Sequence, residues 1–226
     1  MPKDKNKELQ QQLSYRTHNA WQNIPRGEME SYVTEYSEFL DRARTERRCV
    51  AYAVDYLRSH GFVSLDEAEE KGKNAERKIY HAKAGKAVIA MRIPEGEVSA
   101  INLIGAHIDV PRLDLKPVPL VEDSGLAMLK THYYGGIRKY QWLNIPLALV
   151  GTVIDREGKA IEISTGEDPT DPVFVICDLL PHLDDRSGDF KEIFKGKDLN
   201  ALSGSEPLSF DENFKEAVKL NCLKLL

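Results

Sequence analysis

The sequence is short of cysteine, of positive charge and of long apolar runs, and each shortage removes a class of function. Cys49, Cys177 and Cys222 are an odd number at wide spacings with no Cys-x-x-Cys pair. That usage suits a reducing, cytoplasmic compartment better than a disulfide framework. Lys and Arg number 31 against 36 Asp and Glu, a formal charge of −5 with His neutral. A nucleic-acid binder needs a basic excess or stripe to neutralise phosphates, and neither is present, so no nucleic-acid partner is expected. The longest mostly apolar stretch, residues 145–154, contains Pro146, Gly151 and Thr152. It is far shorter than the roughly 20 residues that span a bilayer, so no membrane segment is expected. The opening MPKDKNKELQQQ has basic residues without an apolar core behind them, unlike a secretory signal. Also absent are the Gly-x-Ser-x-Gly elbow of serine hydrolases, the Gly-x-x-x-x-Gly-Lys-Ser/Thr phosphate loop and the His-Glu-x-x-His zinc helix.

What is present is a foldable chain: 42% of its 226 residues are hydrophobic and 30% charged, too apolar for disorder. A chain of this length should remove roughly 70% of its unfolded surface from water, as one large domain or two small ones. Between Glu28 and His60, apolar residues at three- and four-residue steps (Tyr32, Tyr36, Phe39, Leu40, then Val50, Val54, Leu57) predict two amphipathic helices packed on a core. Arg42, Arg44, Arg47 and Arg48 are interrupted by Asp41 and Glu46, which reads as a solvated face. After a polar stretch at 66–76, runs at 78–82 and 87–93 flank Gly85 as a hairpin. Residues 100–106 form a short apolar run, the pattern of a buried strand. Pro111, Pro117 and Pro119 forbid a helix over 109–120, and strands are expected at 147–154, 159–164 and 173–176. Residues 211–226 predict a final helix with an acidic first turn, ending inside an apolar pattern as a truncated chain would.

The sharpest local feature is His107-Ile108-Asp109 directly after the apolar run. Residues two apart in an extended segment point to one side, so an Asp109 carboxylate can fix the His107 tautomer and improve it as a metal ligand. The same pair also fits a satisfied structural histidine. Residues 130–142 concentrate Tyr, Trp, Lys and Arg around Gly135-Gly136. They suit either a turn between edge strands or a subunit contact.

Three spaced segments together resemble the aspartyl-aminopeptidase family of dinuclear zinc aminopeptidases, most closely its bacterial branch. They are Gly105-Ala106-His107-Ile108-Asp109-Val110-Pro111 with Arg112-Leu113-Asp114-Leu115-Lys116-Pro117, then Thr131-His132-Tyr133-Tyr134-Gly135-Gly136-Ile137, then Asp171-Pro172-Val173-Phe174 to Asp178-Leu179-Leu180-Pro181-His182-Leu183. The likeness runs from about Glu35 to Leu226. It implies an α/β fold, a mixed-sheet zinc-peptidase domain interrupted by an inserted β-rich oligomerisation domain. On that basis residues 1–110 begin the proteolysis domain, 111–209 are the insertion and dimerise, and 210–226 lead back. The resemblance makes His107 a zinc ligand and Asp109 the acid that orients it. His182 becomes a histidine that reaches a neighbouring subunit's active site and helps hold the substrate carbonyl. It also implies two zinc ions in the complete enzyme, or other divalent metals, with a peptide substrate and a homo-oligomer. Val110 stands where the family commonly has Ser. The family's remaining metal ligands and general base match nothing here, so the expectation is the N-terminal portion of an aminopeptidase, inactive alone. The rival expectation is a non-catalytic oligomerisation protein derived from such an enzyme.

Overall fold

In the computed structural model, which describes residues 2–15, 17, 19–72, 77–189, 193–211 and 214–225, the chain divides into two units, Met1–Ile108 and Asp109–Leu226. The first carries α1 (Pro2–Leu13), α2 (Arg26–Arg42), α3 (Glu46–Ser59) and α4 (Leu65–Lys71) with a three-stranded sheet of β1 (Val63–Ser64), β2 (Lys78–Lys83) and β3 (Ala87–Arg92). The two helices expected from the apolar spacing are α2 and α3. Thr45 caps α3 by accepting from the Arg48 amide at 3.2 Å, and Cys49 and Val50 turn into the core. The expected packing of α2 on a core is corrected: none of its residues is buried. Its stripe is aromatic and stacks on itself, Tyr32 on Tyr36 at 6.2 Å and Tyr36 on Phe39 at 6.3 Å. Phe39 reaches across, edge-on to Tyr52 of α3 at 5.3 Å, and Arg42 lies over the same ring at 5.2 Å. The arginines are used separately: Arg42 pairs with Glu38, Arg44 with Asp41, and Arg47 donates to the Ala84 carbonyl.

The hairpin forms where expected, with Lys83 opposite Ala87 and both turn residues, Ala84 and Gly85, at positive φ (53° and 64°). Two such residues in succession match the right-handed strand twist. The polar stretch after Ser64 was not expected to be regular, yet it opens as α4. The Glu67 amide donates to Ser64 Oγ while the Ser64 amide donates to Glu67, a reciprocal cap that outweighs the shortage of apolar residues. The larger correction concerns residues 100–106. Among the described residues no strand ladder includes them, and Ile101, Leu103 and Ile104 are 83%, 84% and 94% exposed. An apolar run becomes a buried strand only when a neighbouring strand accepts its hydrogen bonds.

The second unit is built on a sheet ordered β4-β5-β8, from Arg112–Asp123, Leu126–Tyr134 and Ala201–Gly204, with α5 (Ala217–Leu225) packed on it. The three prolines do enforce extended chain. Between Leu115 and Leu120 the β4–β5 register slips where Pro117 and Pro119 offer no N–H and Val118 takes φ 53°. Leu120, Ala127, Leu129, Phe174, Ile176, Leu199, Ala201, Val218 and Cys222 form the core, and Tyr133, Ile137 and Trp142 of the aromatic segment pack against it. Strands β6 (Leu149–Ile154) and β7 (Ala160–Thr165) make a separate hairpin near the expected limits. The run at 173–176 forms single bridges rather than a full strand, Phe174 to Leu147 and Val175 to Leu202. The last helix is shorter than expected. Its start at 212–213 lies outside the described residues, Glu216 is at φ 52°, and the helix begins at Ala217 with no acid in its first turn. The carboxylate at that end is supplied from β4 instead: Glu122 accepts the Lys219 amide at 2.9 Å.

Candidate functional site

His107 is an exposed residue of the first unit, and Asp109 is half-buried at the start of the second. What fixes Asp109 is the sheet behind it. Arg112 opens β4 directly opposite Tyr134, the last residue of β5. That register carries the Tyr134 hydroxyl to Asp109, where it donates to Oδ2 at 3.0 Å. Arg112 lies over the Tyr134 ring at 4.0 Å, a cation–π contact, and is itself held by a pair with Asp114 at 2.7 Å. Sequence reading missed Tyr134 and Arg112 as neighbours of Asp109. The two are 22 positions apart, and only the β4–β5 register reveals the contact.

His182 is exposed in a turn closed by the Leu183 amide donating to the Leu180 carbonyl at 2.9 Å. Around it Leu179, Leu180 and Leu183 are 53%, 57% and 66% exposed, a small apolar tip. The base of this loop is tied down. Arg186 donates to Asp184 through Nε and Nη2 and to Asp178 through Nη2, at 2.6 to 2.7 Å. The Arg186 hydrogen bond holds the Asp184 carboxyl below the usual carboxylate range, and the two aspartates hold the guanidinium proton more tightly than usual. Neither effect was legible in the sequence, although Asp178, Asp184 and Arg186 all flank His182 within a few residues.

Among the described residues no three His, Cys, Asp or Glu side chains stand close enough to hold an ion. A zinc site takes three or four protein ligands, more than any such group among the described residues offers.

Residues 39–226 match the family described as aminopeptidase I zinc metalloprotease (M18). The chain belongs to the M18 aminopeptidase family. A "Probable M18 family aminopeptidase 1" of Thermotoga neapolitana is 47% identical over 208 residues, covering 92% of this chain and 45% of the relative. The crystal structure of the M18 aminopeptidase of Thermotoga maritima superposes with TM-score 0.85 at 43% identity, over 94% of this chain and 46% of that one. That of aminopeptidase I from Clostridium acetobutylicum gives TM-score 0.79 at 32% identity, over 94% and 48%. The mApe1 of yeast, a dodecamer, shares the fold at 21% identity and TM-score 0.57, over 67% of this chain and 36% of that one. This M18 chain thus spans under half the length of the relatives it matches.

Proposed function

We propose that the chain is the N-terminal part of a zinc-dependent aminopeptidase that removes N-terminal residues from peptides and works as a homo-oligomer. The observation that carries this is the family match over residues 39–226, combined with coverage of only 45% of the Thermotoga neapolitana relative. In this reading residues 1–110 begin the α/β proteolysis domain, 111–209 are an inserted β-rich oligomerisation domain, and 210–226 lead back. The complete enzyme holds two zinc ions, most of whose ligands lie outside this chain. His107 is a ligand to one of them. Asp109, whose carboxylate accepts from the Tyr134 hydroxyl, is the acid that orients that ligand. His182 serves the active site of a neighbouring subunit, where its N–H donates to the substrate carbonyl oxygen as negative charge develops there. The exposed apolar tip of Leu179, Leu180 and Leu183 supports this assignment, because such a surface is stable when a partner covers it. The dodecameric yeast relative supports an assembled enzyme. The three free cysteines support a reducing, cytoplasmic setting.

The test has two arms. The purified 226-residue chain, supplied with zinc, cobalt or manganese, should release no product from aminoacyl chromogenic substrates; sustained turnover abolished by His107→Ala would refute the division of the site. In the complete enzyme His107→Ala should lose metal. His182→Ala should keep its metal and lose turnover by about a hundredfold or more, the usual effect of deleting one such donor. Mixing the two variant enzymes should restore activity. If differential tagging shows mixed oligomers that stay inactive, His182 does not act across subunits.

A further inference from the structure

We propose that Arg186 is a positioning residue for His182: its guanidinium bridges Asp178 and Asp184, closing the base of the loop that presents the histidine. This rests on the reading of His182 given above. The loop leaves the core at Ile176, which is 1% exposed and whose carbonyl accepts the Asn144 amide at 2.9 Å. Asn144 then accepts the Asp178 amide on its side-chain oxygen at 3.2 Å, so the outgoing strand is held before the loop begins. Arg186 holds the return. Nη2 donates to Asp178 Oδ1 at 2.7 Å, Nε to Asp184 Oδ1 at 2.6 Å, and Nη2 again to Asp184 Oδ2 at 2.7 Å. The Arg186 amide also donates to Asp184 Oδ1 at 3.0 Å.

The clamp itself is anchored. The guanidinium lies 5.0 Å from the ring centre of Phe194, which is buried. The side chains of Arg186, Asp178 and Asp184 are 30%, 29% and 23% exposed, more shielded than an ordinary surface ion pair. A fixed base under an exposed tip is the geometry of a presenting loop. The fork is essential to it. One planar group reaches two carboxylates that flank His182, whereas a lysine ammonium is a single point on a flexible stem. The turn hydrogen bond from Leu183 to Leu180 fixes the backbone on either side of His182, and the clamp fixes where that turn stands.

Two measurements test the proposal. Hydrogen exchange on the 226-residue chain should show the amides of residues 178–186 exchanging at least about tenfold faster in Arg186→Gln, with β4 and β5 unchanged, and an intermediate rate in Arg186→Lys. In the complete enzyme Arg186→Gln should lower kcat by about tenfold to a hundredfold, as loss of a sub-ångström alignment does, with KM and metal content unchanged and partial recovery in Arg186→Lys. The deciding comparison is the double variant. If Arg186 acts through His182, Arg186→Gln should cost nothing further in a His182→Ala background. Unchanged exchange at 178–186, or the same kcat loss with and without His182, overturns the positioning role. Faster exchange with undiminished kcat overturns it too while leaving the His182 assignment standing. Full turnover in His182→Ala instead removes the His182 assignment itself, and the positioning role falls with it.

Discussion

Replacing Gly204 with alanine should destabilise the second unit through one contact. Gly204 ends β8 opposite Ala127, which is 0% exposed, and a Cβ built on it would stand 2.6 Å from the Sγ of Cys222 on α5. Non-bonded heavy atoms settle at about 3.5–4.0 Å, so roughly 1 Å must be found. Cys222 is 6% exposed, which leaves its thiol little room to rotate; the alternative is to lift α5 from the sheet. The backbone raises no objection, since Gly204 is not among the glycines at positive φ. Overpacking of this kind costs about 1–3 kcal/mol, and the entropy that alanine removes from the unfolded chain returns about 0.4–1 kcal/mol, leaving a net loss of about 1–2 kcal/mol. The assay is a urea transition at constant slope. Cys222→Ala alone should also destabilise, by emptying the space the sulfur fills. In the double variant the new methyl enters that space, so the two losses should fall short of additivity by about 1–2 kcal/mol. A Gly204→Ala protein as stable as the parent, or losses additive to within about 0.5 kcal/mol, would refute this account of the β8–α5 contact.

Thr131 is 3% exposed and its hydroxyl donates to the Leu199 carbonyl. Thr131→Val should therefore lower stability by about 1–3 kcal/mol, and a urea midpoint equal to the parent's would rule that out. Ser64→Ala removes one half of the α4 cap and should cost about 1 kcal/mol, seen as faster amide exchange confined to residues 65–71. Asp184 has its carboxyl lowered by the hydrogen bond from Arg186. A carboxylate whose folded pKa lies below its unfolded value stabilises above that unfolded value, about pH 4, and loses the contribution as pH falls through the folded one. Protection of the 178–186 loop should accordingly hold at neutral pH and fail only in acid below about pH 4, a step that Asp184→Asn abolishes; loss of protection near pH 6 would contradict it.

The parts of the fold legible in the sequence were those whose cause is local. Gly85 marked the β2–β3 turn, the three- and four-residue steps marked α2 and α3, and Pro117 with Pro119 excluded a helix where β4 now slips register. The errors have a common origin in contacts distant in sequence. Residues 100–106 have the composition of a buried strand, but a strand is made by its neighbour. The N-terminal carboxylate of α5 comes from Glu122, 97 residues away, so its own first turn needed none. The candidate site divides in the same way. His107, Asp109 and His182 could be named from the motifs they share with a family. Tyr134, Arg112 and Arg186 could not, because register and loop closure, rather than spacing, bring them to Asp109 and to the His182 loop.

One physical condition connects the exposed run before His107 with the shortage of metal ligands after it. Fully covering a Leu or Ile side chain is worth about 1.5–3 kcal/mol, and Ile101, Leu103 and Ile104 forgo most of it here. On the reading proposed above, a neighbouring strand covers these three side chains. In the proposed enzyme that neighbour is supplied by the remainder of the peptidase, the same part that supplies the missing ligands. Pairing this run into a sheet and completing the metal site then become a single event, because His107 follows Ala106 with no intervening residue. On that reading His107 is positioned as a ligand once the run before it has a partner. On that reading, folding of the complete domain and assembly of its metal centre would be coupled, as they are wherever a site does not pre-exist in the incomplete chain.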